Sequence, residues 1–155
     1  MKILDCTLRD GGYHTNWEFE PEFVRDLITV LDRTVVDVIE LGYKSPLRGG
    51  KYRKCSDKFI EKTIGFVPKS KLSFMIDTKD FVIDGKLDYN LIKTNIHENS
   101  IFSMCRVATT LDFLDYAKEL VSYLNSIGYT TTINLVRASI IELSELPSVI
   151  SQIDD

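Results

Sequence analysis

The sequence predicts an α/β fold with a parallel sheet and helices outside it, and three observations carry that prediction. Apolar runs begin near residues 3, 36, 72, 101 and 131, so a strand–helix unit recurs about every thirty residues. The runs are continuous rather than alternating, the pattern of strands covered on both faces. Their ends carry polar groups: Arg9, Asp10, Glu40, Asp77, Arg106 and Asn134. Parallel α/β folds gather functional groups at the carboxyl ends of strands. Pattern alone allows an open doubly wound sheet or part of a (β/α)8 barrel. No strand is followed by G-x-G-x-x-G or G-x-x-x-x-G-K-S/T, and this missing nucleotide fingerprint favours the barrel.

The first strand is read from Ile3 to Leu8, leaving through Arg9-Asp10-Gly11-Gly12. Two glycines after a strand mark a tight exit where backbone can approach a ligand. Residues 13–19, Tyr-His-Thr-Asn-Trp-Glu-Phe, read as a polar-aromatic loop. Pro21 suits a first helical turn, and Phe23, Val24, Leu27, Ile28 and Leu31 follow at helical spacing. Val35 to Gly42 is the second strand. Lys44 to Lys54 is a basic stretch containing Arg48 and Gly49-Gly50, either a surface loop or a loop that covers substrate. Asp57 to Phe66 is a short helix stopped before Pro68, and Leu72 to Asp77 is the third strand. A turn at residues 82–86 and a weak helix from Asp88 to Thr94 lead to the fourth strand, Ile101 to Ala108. Leu111 to Ile127 carries a stripe of Leu111, Leu114, Ala117, Leu120, Val121 and Leu124, capped by Gly128. Thr130 to Arg137 is the fifth strand, and a last helix begins at Ser144.

At 155 residues with 44% hydrophobic content, the chain is one domain by length. A net charge of -4 argues against nucleic acid or an anionic membrane surface as the main partner. No apolar run approaches the roughly 20 residues of a membrane span, and Asp5 interrupts where a signal peptide would continue. The expected location is therefore the cytoplasm. Cys6, Cys55 and Cys105 lack metal-site or disulfide spacing, and Cys6 and Cys105 read as small buried hydrophobes within strands.

The string Asp5-x-Thr7-Leu8-Arg9-Asp10-Gly11 resembles the first-strand signature of the HMG-CoA-lyase-like, or DRE-TIM metallolyase, superfamily. Ile39-Glu40-Leu41-Gly42 looks like its second-strand Ile-Glu-Val-Gly. Arg106-Val107-Ala108-Thr109 looks like the Arg-Val-Ala-Thr that closes the fourth strand in the 4-hydroxy-2-oxovalerate aldolases. The resemblance implies a (β/α)8 barrel of which residues 1–155 supply about the first five βα units, the N-terminal part of a catalytic domain. It implies a lyase that makes or breaks a carbon–carbon bond beside a pyruvate-like 2-oxo acid through a metal-stabilised enolate. Alternatives are an acyl-transferring synthase or carboxyltransferase of the same superfamily, or a non-catalytic half-barrel.

On this resemblance Asp10 is a ligand to Mn2+ or Mg2+ and Arg9 stabilises the enolate. The family's remaining ligands, a His-x-His on strand seven, are absent, since the two histidines are His14 and His97. The fragment is therefore expected to be inactive alone. Glu40 is either a water-orienting carboxylate or a structural bridge to Arg9 or Arg106. Where the aldolases carry a basic histidine this chain has Tyr13, with His14 one step later, so either is the candidate base. Adjacent strand residues point to opposite faces, so Arg9 and Asp10 share a site only if the strand ends or kinks there. Unpaired sheet edges near residues 3–7 and 131–136 are expected to drive self-association. An inner face of Leu4, Cys6, Val38, Phe74, Met104 and Leu135 would add to that tendency.

Overall fold

Five parallel strands curl into a half-barrel with helices packed around the outside, in a computed structural model that describes residues 1–46 and 50–154. The strands are β1 (Leu4–Asp5), β2 (Val38–Tyr43), β3 (Lys71–Asp77), β6 (Phe102–Thr109) and β7 (Thr130–Leu135), paired in the order β1-β2-β3-β6-β7. Between β3 and β6, Asp84 and Gly85 take positive φ and turn a small hairpin of β4 (Val82–Ile83) and β5 (Lys86–Leu87). The helices are α1 (Thr7–Thr15), α2 (Pro21–Leu31), α3 (Lys51–Lys54), α4 (Asp57–Ile64), α5 (Tyr89–Asn95), α6 (Leu114–Ser126) and α7 (Leu146–Asp154).

The opening segment departs from the sequence expectation. Its strand ends at Asp5, and the Arg-Asp-Gly-Gly stretch lies inside helix α1 rather than in a turn. Local chemistry explains the switch. The Asp5 carboxylate accepts hydrogen bonds from the backbone N–H and the hydroxyl of Thr7, each at 3.0 Å, and so starts the helix. Leu8 and Gly12, four residues apart, form its buried side. Gly12 is there for closeness rather than for φ: a methyl group would overlap the Trp17 indole, which is itself buried. The helix ends where Asn16 and Trp17 take positive φ. Cys6 therefore precedes a helix and is half-buried, whereas Cys105 is a fully buried strand residue as expected.

The core lies between the sheet and its helices. Ile39, Phe74, Cys105 and Val107 are fully buried, against Val24 and Ile28 of α2 and Ala117, Leu120 and Leu124 of α6. Strand register sorts the faces. Glu40 pairs with Ser73, Ser73 with Met104, and Met75 with Arg106, so these side chains share the inner, lumen face. Phe74 pairs with Cys105 and Leu135 with Thr109, which puts Phe74 and Leu135 on the helix side instead of the lumen side. On the lumen side, a cleft of about 730 Å3 opens near the amino ends of the strands, walled by Leu4, Val38, Met104 and Thr132.

The basic stretch after β2 also differs from a plain surface loop. Lys44 is 1% exposed and donates to Asp57 at 2.6 Å, with its ammonium 4.8 Å from the Phe74 and Phe102 ring centres. Asp57 in turn accepts from the Ile101 N–H, tying the exit of β2 to α4 and the start of β6. Residues 51–54 form α3, with Tyr52 buried and its backbone carbonyl against Gly42. Arg48 and Gly49 lie outside the described residues.

Candidate active site

Helix α1 presents two faces to the carboxyl end of the sheet. Arg9 and Tyr13 are one turn apart and face β2 together. Cys6 and Asp10 are likewise one turn apart. Because the strand has already ended, Arg9 and Asp10 no longer point to opposite faces; their side chains form an ion pair with each other.

Glu40 is the centre of the cluster. It is fully buried, and its Oε1 accepts from Arg9 Nε at 2.6 Å and from Arg106 Nη1 at 3.0 Å. Its Oε2 lies 3.1 Å from the same Arg106 nitrogen. Both carboxylate oxygens are engaged, so the geometry is that of a bridge that fixes two guanidiniums. Arg9 and Arg106 keep only 14% and 17% of their side-chain surface open to solvent. Burial opposes the charge on Arg9, but the bond to Glu40 and the nearby carboxylates outweigh it and hold the guanidinium protonated more firmly than usual. Two cations surround the one buried carboxylate, and the second carboxylate of the cluster, Asp10, pairs with Arg9 from the solvent side, so both guanidiniums stay charged and fixed beside the lumen. Fixed guanidinium donors of this kind suit an anion whose charge develops during reaction.

Above this cluster the Tyr13 and Tyr43 hydroxyls share a hydrogen bond at 2.6 Å. Burial, and then the bond to Tyr13, pushes the Tyr43 phenol well above its ordinary value, so Tyr43 keeps its proton. Trp17 packs edge-on against both rings, and the Arg53 guanidinium lies 4.3 Å from the Trp17 ring centre. Tyr13 is 57% exposed over the site. His14, the next residue on the helix, is also exposed, but a step of about 100° turns it away from the β2 face that Arg9 and Tyr13 share.

Asp10 is solvent-facing, with 54% of its side chain exposed. Its Oδ1 pairs with Arg9, and its Oδ2 accepts from the Cys6 thiol at 3.0 Å. Burial and then Asp10 push that thiol above its usual value. Among the described residues, no three His, Cys, Asp or Glu side chains come together as a metal-holding group. The donor set present here therefore does not fit a divalent cation by itself.

Arg106 and Tyr43 are the site residues that sequence reasoning underweighted. Arg106 was visible as a polar strand end, and only the register of β2, β3 and β6 brings it to Glu40. Tyr43 gave no signal beyond following Gly42. Asp77 and Asn134 share a row across the top of the lumen face but do not reach Glu40 through any hydrogen bond among the described residues.

With this geometry in hand, comparison with known proteins bears out the resemblance to the oxovalerate aldolases. The 4-hydroxy-2-oxovalerate aldolase of Pelotomaculum thermopropionicum is 30% identical over 81 residues, covering 49% of this chain and 24% of the relative. The 4-hydroxy-2-oxovalerate aldolase 2 of Mycolicibacterium smegmatis is 24% identical over 155 residues, covering 94% of this chain and 41% of the relative. A crystal structure of the N-terminal domain of a provisionally assigned aldolase from Bacteroides vulgatus superposes with a TM-score of 0.71 at 25% identity, over 96% of this chain and 47% of that one. The chain thus spans less than half the length of the relatives it matches. No family model matches it.

Proposed function

We propose that residues 1–155 are the N-terminal part of an aldolase-type (β/α)8 catalytic domain acting on a pyruvate-like 2-oxo acid. The observation that carries this reading is the buried Arg9–Glu40–Arg106 bridge at the carboxyl end of a parallel half-barrel. It is supported by the similarity to proteins named as 4-hydroxy-2-oxovalerate aldolases. Arg9, oriented by Glu40, meets the oxygen that becomes the enolate. Arg106 holds Glu40 from the far side and adds the second cation. Tyr13, on the Arg9 face of α1 and bonded to Tyr43, is the proton-handling group, and His14 stays outside. Asp10 contributes one ligand to Mn2+ or Mg2+, with the others supplied from outside these residues. This chain alone is therefore inactive. Three unpaired cysteines and an acidic chain accord with a cytosolic protein. No helix among the described residues is long and apolar enough to cross a membrane. The open edges at β1 and β7 and the exposed lumen face favour self-association of the isolated chain.

The test is deuterium exchange into the pyruvate methyl group, followed by NMR. The 155-residue chain should show none. The same chain joined to its downstream coding sequence should exchange in an EDTA-sensitive way. An EDTA-sensitive rate from the pure fragment would show that no further units are needed. A joined protein that folds and binds Mn2+ yet exchanges nothing would overturn the aldolase assignment.

A further inference from the structure

A second cleft lies on the same rim as the Arg9–Glu40–Arg106 cluster, over the carboxyl ends of β3, β6 and β7. It encloses about 220 Å3 and includes Asp77, Lys79, Thr110, Phe113, Val136 and Arg137 in its lining. Asp77 is neutralised within the cleft: its carboxylate pairs with Lys79 Nζ at 2.9 Å and accepts from the Lys79 N–H at 3.3 Å. Arg137 has no ion-pair partner among the described residues, and the Thr110 hydroxyl has no hydrogen-bond partner there either. One uncompensated cation therefore remains among the lining residues, together with an unbonded hydroxyl on Thr110 and apolar walls from Phe113 and Val136.

The backbone at Arg137 is also unusual for its side chain. Arg137, two residues past the end of β7, takes the left-handed conformation, with φ 61° and ψ 32°. A bulky side chain is costly there, and glycine or asparagine would be the inexpensive choice. Strained residues of this kind concentrate at ligand-binding positions. Nothing in the local turn chemistry requires an arginine.

We propose that this cleft binds a small aliphatic monocarboxylate, held in two-point fashion by the Arg137 guanidinium with Thr110 as additional donor. The planar fork of arginine matches a carboxylate, and the balance of charge in the cleft calls for one negative charge rather than two. Phe113 and Val136 take up a short hydrocarbon chain. As a subsite for the carboxylate of a substrate, the cleft rests on the aldolase reading; the binding itself does not.

The experiment titrates the 15N-labelled 155-residue chain with butyrate, with its neutral isostere butyramide, and with inorganic phosphate, following backbone amides by NMR. Butyrate should saturate in the millimolar range and move the amides of Thr110 and Arg137. Butyramide and phosphate should bind at least tenfold more weakly. Arg137→Gly removes the cation and relieves the backbone at once, so its fold is not threatened, and it should bind butyrate at least tenfold more weakly. Lys93→Gln, an exposed change outside the lining of the cleft, should leave this binding unchanged. Equal butyrate affinity in Arg137→Gly, equal shifts with butyramide, no saturable shift at all, or shifts confined to the residues around Glu40 would each overturn the proposal. Because no turnover is measured, failure of the aldolase reading leaves these outcomes distinct.

Discussion

Replacing Glu40 by glutamine removes the one negative charge that separates two buried guanidiniums while keeping the volume of the side chain. At a separation of about 4 Å and an effective dielectric near 20, each Arg–Glu pair is worth roughly 4 kcal/mol of gross Coulomb energy. Much of that is offset by the cost of burying the carboxylate, and breaking a buried pair typically costs about 3–5 kcal/mol net. Arg9 and Arg106 retain 14% and 17% solvent exposure, and the glutamine carbonyl still accepts one bond, so the lower end applies. The expected loss is about 3 kcal/mol. At about 2–4 °C per kcal/mol for a chain of this size, Tm should fall by roughly 6–12 °C. Urea unfolding followed by circular dichroism at pH 7 measures it, and an unchanged slope would confirm that the folded state alone is affected. Arg106→Gln should cost less, about 1–2 kcal/mol, because Glu40 keeps Arg9. A Glu40→Gln variant within 0.5 kcal/mol (about the noise of such series) would refute the bridge as an energetic unit.

Three further outcomes follow from particular contacts. Gly11 sits in helix α1 with only the Phe19 ring near it, so Gly11→Ala should stabilise the chain by about 0.5–1 kcal/mol. Gly12→Ala, which meets Trp17, should cost more than about 2 kcal/mol; thermal melts of the two variants also separate a helix from a glycine turn. Burial raises the Asp57 carboxyl, but its bonds to Lys44, Ser100 and Ile101 prevail and hold it below the usual carboxylate range. Its stabilisation is therefore full above the unfolded value near 4 and fades as pH falls through the folded value. Asp57→Asn should cost about 2–3 kcal/mol at neutral pH by stranding Lys44, and it should flatten the acid limb of a stability–pH curve measured in urea. In the whole protein, Tyr13→Phe should lower kcat at least tenfold with little change in KM, whereas His14→Ala should stay within twofold; steady-state kinetics that reverse this order would move the base to His14.

Strand periodicity, helix stripes and the order of five βα units were legible in the amino-acid sequence, because continuous apolar runs and 3.6-residue stripes are local patterns. Arg9, Asp10 and Glu40 stood out for the same reason, as polar groups bordering those runs, whereas Tyr13 and His14 became candidates only through the family resemblance. The sequence could not say that residues 7–15 are helical. Ile3 to Leu8 reads as a buried strand, and what ends it is the Asp5 carboxylate capping Thr7, together with a glycine that lets the helix close on Trp17. Nor could it separate the two roles open to Glu40. That choice belongs to register: only when β2 pairs with β3, and β3 with β6, does Arg106 come to the carboxylate that Arg9 reaches from the helix. Tertiary packing likewise turned Lys44 from a surface cation into a buried one, since its partner Asp57 is thirteen residues away and its aromatic neighbours lie on two other strands. Charge and apolar period are local properties of a chain. Which charges meet is decided by strand pairing, whose one-residue shifts move every side chain to the other face.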